Sequence, residues 1–300
     1  MLLKAVIPAS AMNKIYQIEY HTRNTYETPV NEATFAFLVT PSQDALQTVS
    51  NVSFTNSLGE EGYQFRNPFG FAVRCIRSTK SFTEFEFAMT AQVEKKPTTF
   101  ISNGQLSAEQ EQKILASRET LINHHLYLGF NNYTTIDPGF NEQVLYQQQN
   151  QTVFDFLQAL NGHIYNMLKY DPEPTHVHTT VNEVLQLGRG VCQDYVHLFL
   201  SMARLNKIPC RYVSGYLNQG GELVGAAVMH AWVEAYLPQQ GWFGFDPTNN
   251  LLADVTHIKA AHGADYSDCS PIKGVLKTSG GHKTVYGVKV IPAPIEESAQ

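Results

Sequence analysis

"LGRGVCQDYVHLFLSMARL", Leu187 to Leu205, sets a cysteine between a glycine-punctuated turn and an amphipathic run. Tyr195, Leu198, Phe199 and Met202 recur at helical spacing, so the run reads as a helix beginning near Cys192 and stopping in "NKIPC" before Pro209. Structural cysteines sit among apolar neighbours, but Cys192 is followed at once by Gln193 and Asp194. Backbone N–H groups at a helix start lack partners and carry the positive end of the helix dipole, and both features favour thiolate over thiol. The same groups, that of Cys192 first among them, can face the oxygen of an attacked carbonyl as it becomes negative.

Working outward, the helix is followed by strand texture: "CRYVSGYL", a "NQGGEL" turn, "HAWVEAYL", a "PQQG" turn and "WFGFDPT". It is preceded by "TVFDFLQALNGHIYNMLKY", whose Phe156, Leu157, Leu160, Ile164, Met167 and Leu168 form one apolar stripe with Thr152 as its cap. Earlier still, Ser107 and Gln110 form a capping box for a helix over "SAEQEQKILASRETLINHH". Helices first and antiparallel strands afterwards make this half α+β. Upstream of the polar "EKKPTTFISNGQ" linker the texture is β, with alternation through Tyr16, Ile18 and Tyr20 and through Phe85, Phe87, Met89, Ala91 and Val93. The division expected is residues 12–95 as an antiparallel, sandwich-like β domain and 96–300 as a core with C-terminal strands.

A cysteine nucleophile needs an imidazole for the ion pair and for protonating the leaving group, and the imidazole needs an acceptor to hold its tautomer. His230, opening "HAWVEAYL", and Asp246, closing "WFGFDPT", are the candidates. If Leu237 faces Trp242 across the "PQQG" turn, Asp246 falls opposite Val233, three residues or roughly 10 Å of strand rise from His230. A one-residue bulge would change the face. The plainer reading of Asp246 before Pro247 is a turn initiator, and of His230 a satisfied sheet histidine.

Composition narrows the alternatives. The 300 residues are 43% hydrophobic, enough for a sizeable core, and a net charge of −6 without a basic stripe leaves no support for nucleic-acid binding. Cys75, Cys192, Cys210 and Cys269 are far apart, which argues against a disulfide framework or structural zinc and fits a reducing, cytoplasmic setting. All but Cys192 read as small buried hydrophobes. No run reaches the roughly 20 apolar residues of a membrane span. Residues 1–11 read more simply as sequence ahead of a start at Met12 than as a signal peptide. His176 with His178, and His124 with His125, lack further ligands at metal spacing, so neither a metal nor an organic cofactor is expected. His197 reads as a helix-surface histidine, His257 as a loop histidine, and Tyr170 as a helix-end aromatic packed on the core.

"GRGVCQDYVHLFLSMARLNKIPCRYVSGYL" followed by "HAWVEAYLPQQGWFGFDPTNN" resembles the core of the transglutaminase-like superfamily, whose papain-like folds use Cys, His and Asp in that order. "YQIEYHTRNTYETPVNEA", "NPFGFAV" and "HIKAAHGADYSDCSPIKGV" resemble the β domain and C-terminal segment of bacterial transglutaminase-like proteins described as cysteine-protease candidates. Ala264 departs from the basic residue expected in that last stretch. The resemblance implies a papain-like core of helices on an antiparallel sheet, with Cys192 as nucleophile, His230 as acid and base, and Asp246 as orienting carboxylate. A peptidase or amidase acting on a peptide or protein is the leading expectation. A protein-glutamine transglutaminase, and a catalytically idle binding protein, are the alternatives.

Overall fold

A computed structural model describes residues 12–98, 106–218 and 228–293. The reading of residues 1–11, most of the linker (99–105) and most of the "NQGGEL" turn lie outside them.

The first half folds as expected into strands: β1 (Lys14–Val30), β2 (Glu32–Phe37), β3 (Gln47–Asn56), β4 (Tyr63–Arg66), β5 (Ala72–Ser78) and β6 (Phe82–Lys95). Two antiparallel sheets share these strands, and their inner faces are the alternating residues of the sequence. Tyr16, Ile18 and Tyr20 of β1 and Phe85, Phe87 and Met89 of β6 are buried. Phe35 stacks on Phe85 with centroids 4.2 Å apart and Phe37 on Phe87 at 3.7 Å, joining the sheets ring to ring.

The second half supplies α1 (Ala108–Leu115), α2 (Arg118–Asn123), α3 (Val153–Met167), β7 (Lys169–Tyr170), α4 (Val181–Leu187), β8 (Arg189–Gly190) and α5 (Cys192–Leu205). The Ser107–Gln110 capping box and the Thr152 cap are both present. The single helix expected after Ser107 is two, because Ser117 turns extended and caps a new start at Thr120 N–H. Then follow β9 (Cys210–Leu217), β10 (His230–Leu237), β11 (Gly241–Asp246), β12 (Leu251–Leu252), β13 (His257–Gly263) and α6 (Tyr266–Cys269). The core sheet runs β12-β11-β10-β9-β13. Helix α5 packs on the face carrying Ala231, Val233, Ala235 and Leu237, with α3 beside it. The whole is α+β.

The C-terminal strands do not extend the core. β14 (Ile272–Lys277) pairs with β2 and β15 (His282–Pro292) with β1, giving sheet orders β14-β2-β5-β4 and β15-β1-β6-β3. The chain thus returns to its first layer, where β1 and β2 would otherwise end as open edges. Gln47 ties the two layers, its side chain donating to the Lys259 carbonyl at 2.7 Å and accepting from the Lys259 N–H at 3.0 Å.

Candidate active site

Cys192 is the first residue of α5, half-buried, at a start built by its neighbours. Asp194 folds back so that Oδ2 accepts the Val191 N–H at 2.8 Å and the Thr175 hydroxyl at 2.8 Å. Burial pushes the Asp194 carboxyl up, and these two bonds oppose that. Gly190 is required here because a Cβ would collide with the Asp194 carboxylate. Asp194 and Tyr195 N–H both turn to the Val191 carbonyl, while the N–H groups of Cys192 and Gln193 come before the first intrahelical bond. The Gln193 side chain reaches the Val177 carbonyl at 3.2 Å and holds the loop ahead of α4 against the helix start.

His230 and Asp246 meet at the end of the core sheet, 1% and 0% exposed. The register differs from the expected one: Leu237 pairs with Gly241 and Tyr236 with Trp242. Pro238 and Gln239 form the corner, with Gln240 N–H bonded to the Leu237 carbonyl at 3.0 Å and Gln239 at φ 66°, a type II turn. That shift of one residue carries Asp246 from opposite Val233 to the position beyond the Val233–Phe245 pair, on the face of Trp232 and His230. The His230 Nε2 then lies 2.8 Å from Asp246 Oδ2.

The carboxylate serves as turn initiator and acceptor at once. Oδ1 accepts the N–H groups of Thr248 (3.0 Å) and Asn249 (3.2 Å), and Oδ2 accepts the Asn249 amide (2.8 Å) as well as His230. A fifth donor is His257, whose Nε2 is 3.2 Å from the same Oδ2. Burial alone would raise the Asp246 pKa, but His230 and His257 hold it well below the usual carboxylate range. Burial also opposes a charged His230, yet Asp246, followed by the Cys192 thiol, raises that imidazole to about 10. With Nε2 committed to Asp246, Nδ1 is the nitrogen left for the thiol. His257 is pushed down by burial, with Asp246 pulling the other way, and its Nδ1 meets the Thr256 hydroxyl at 3.1 Å.

All three expected residues therefore converge. His257 was misread: it is a buried histidine opening β13, and nothing in the local sequence ties it to Asp246 because their meeting depends on sheet order. His197 is likewise buried, stacked on Tyr133 and accepting the Tyr266 N–H at 3.2 Å. Tyr170, Tyr212 and Tyr286 have phenols raised first by burial, with charge on the nearby Cys192 adding to it, and together they mark the surroundings of the thiol. Tyr286 comes from β15, a strand of the first layer. The other cysteines are buried, and burial pushes Cys210 up to about 11 and Cys269 well above the ordinary thiol range. Ala264 contributes only backbone, its carbonyl accepting from the buried Arg204 guanidinium at 2.6 Å. His230, Asp246 and His257 each bring one metal-type ligand atom within 4.8 Å of the others, a closeness that the two imidazole–carboxylate hydrogen bonds account for.

Both halves of the chain are similar to known proteins. Residues 139–247 match the transglutaminase-like superfamily and residues 16–94 the bacterial transglutaminase-like N-terminal region. An uncharacterized Mycobacterium tuberculosis protein is 36% identical over 154 residues, 48% of this chain and 49% of that one, so the chain spans about half the length of such curated relatives. A protein-glutamine gamma-glutamyltransferase of Pseudomonas aeruginosa is 42% identical over 73 residues, 22% of this chain and 11% of that protein. A solved Cytophaga hutchinsonii protein, described as a cysteine-protease candidate, superposes with a TM-score of 0.74 at 20% identity, over 96% of this chain and 93% of its own.

Proposed function

We propose that this chain, a member of the transglutaminase-like superfamily, is a cysteine-dependent acyl-transfer enzyme acting on peptide or amide bonds of a peptide or protein. The observation that carries this reading is the half-exposed Cys192 at a helix start beside an imidazole whose far nitrogen is held by a buried carboxylate. In the reaction we infer, Cys192 Sγ, as thiolate, attacks the carbonyl carbon and the oxygen becomes negative facing the Cys192 N–H. The His230 imidazolium gives its proton to the departing amine as the C–N bond breaks, leaving a thioester. Water then attacks, His230 takes one of its protons, and the C–S bond breaks to release the acid. Asp246 keeps the imidazole in one orientation and stabilises its charged form.

A second reading, an amine in place of water, is favoured by the local likeness to the gamma-glutamyltransferase. Peptide turnover followed by mass spectrometry with and without a primary amine separates the two: cleavage products support hydrolysis, isopeptide or amide adducts support transfer. Cys192→Ala is expected to lower either by about 10³-fold or more. Iodoacetamide should label one thiol at mildly acidic pH, and His230→Ala should abolish that labelling. Undiminished turnover in Cys192→Ala, with the protein folded, sinks the reading.

A further inference from the structure

From sequence Tyr170 reads as a helix-end aromatic packed on the core, but the chain leaves the helix before it. α3 ends at Met167, Leu168 turns extended at φ −108° and ψ 143°, and Tyr170 closes the short strand β7. β7 pairs in parallel with β8, setting Tyr170 beside Gly190, two residues ahead of Cys192. Lys169 N–H on the Gly188 carbonyl and Asp171 N–H on the Gly190 carbonyl, both at 3.0 Å, fix that pairing. We propose that the Tyr170 hydroxyl is a second donor, with the Cys192 N–H, to the carbonyl oxygen that turns negative when Cys192 attacks. The proposal rests on the acyl-transfer reading and adds a catalytic residue to it.

Direction is the first argument. Paired residues of neighbouring strands send their side chains to the same side of the ladder. A Cβ on Gly190 would run into the Asp194 carboxylate, so the Tyr170 side chain leaves its strand towards the first turn of α5. That turn in return holds β7, because Tyr195 donates its hydroxyl to the Leu168 carbonyl at 2.9 Å. The outer end of the ladder is closed by Arg189 and Asp171, 3.2 Å apart. Tyr170 and Cys192 are both partly buried and pack against the same core cluster. A donor fixed in this way loses little freedom when the oxygen arrives.

Availability is the second. Other side-chain donors at the α5 start are engaged: Gln193 on the Val177 carbonyl, Thr175 on Asp194 and Tyr195 on Leu168. Among the described residues, none forms a hydrogen bond with the Tyr170 hydroxyl. Burial, then charge on Cys192, raises that phenol to about 12, so it keeps its proton through neutral pH and can only donate it in a hydrogen bond. As the S–C bond forms, the carbonyl π pair moves onto oxygen and meets the two N–H and O–H donors. The pair returns to carbon as the C–N bond breaks, and the phenol proton is never transferred.

Two thiol reagents, applied to the full chain, isolate this contribution. p-Nitrophenyl acetate acylates Cys192 through a tetrahedral oxyanion and expels p-nitrophenolate, whereas iodoacetamide alkylates by displacing iodide from a saturated carbon and forms no oxyanion. The rate of the p-nitrophenolate burst, divided by the rate of alkylation, should fall at least about ten-fold in Tyr170→Phe. A ratio within about three-fold of the native one, whether both rates fall together or neither does, would overturn the proposal. If Tyr170→Phe does not fold, Tyr170→Gln, which keeps a donor, is compared with Tyr170→Leu, which has none: a higher ratio for Gln supports the proposal and equal ratios overturn it. Failure of the native chain to gain an acetyl group on Cys192, read by mass spectrometry, would instead remove the acyl-transfer reading and this proposal with it.

Discussion

Asp246 collects five donors on two oxygens, and no other side chain at the site is fixed so completely. Two of them are imidazoles of opposite character, His230 raised to about 10 and His257 lowered. If the reaction uses a protonated His230, turnover should persist into alkaline solution and fall as pH rises through about 10, the value at which that proton leaves. A pH–rate profile whose alkaline limb lies near the ordinary histidine value of 6.5 would contradict this. Asp246→Asn keeps the shape but loses the charge, and should lower turnover by roughly 10³–10⁴-fold with the fold intact. His257 acts only through Asp246. His257→Phe, which cannot donate, should therefore lower turnover by about ten-fold and shift the alkaline limb, whereas His257→Gln should retain more activity. An equal effect of the two replacements would reduce His257 to packing.

Two short elements place the reacting groups. The start of α5 depends on Asp194 turning back over Gly190, so Gly190→Ala should cost about 1–3 kcal/mol, read from urea unfolding, through the forced displacement of a buried carboxylate. The β10–β11 corner sets the register that puts Asp246 on the histidine's face, and it holds Gln239 at φ 66°, where a Cβ is strained. Gln239→Gly should relieve that strain and stabilise the protein by about 0.5–1 kcal/mol, the gain being limited by glycine's greater unfolded-state entropy. Reduced stability in that variant would mean that the Gln239 side chain matters more than its backbone angle.

Over the whole molecule, buried histidines set the response to acid and base. His197 is depressed to about 3 and His262 to about 2, so below the unfolded value of about 6.5 the unfolded chain binds protons that the native one refuses. Stability from these groups is present above pH 6.5 and lost as pH falls. His230 behaves oppositely: its contribution is full below 6.5 and lost as pH rises towards about 10. Thermal midpoints should peak near pH 6.5, and His197→Gln should flatten the acid limb, each neutral buried histidine otherwise contributing about 1.4 kcal/mol per pH unit there. A midpoint unchanged between pH 6.5 and 4.5 would contradict this. Closure of the first layer rests on β14 against β2 and β15 against β1. Removal of residues 272–293 should thus impair folding of both layers, visible as loss of soluble protein, since β1 and β2 would become long open edges.

Local order was legible because it follows from neighbours in the chain. The alternation of Tyr16, Ile18 and Tyr20, the Ser107 and Thr152 caps, and a cysteine at the start of an amphipathic helix are all one-dimensional signals, and Cys192, His230 and Asp246 could be named from them. Register, sheet order and long-range pairing were decided only in three dimensions. A one-residue choice at Pro238–Gln239 determines which face Asp246 takes, the position of β13 beside β9 brings His257 to it, and hydrogen bonds to β1 and β2 draw the last strands away from the core. Side-chain periodicity records which residues of a strand are buried but not which strand they are buried against, and that partner is selected by the combined packing of the folded chain.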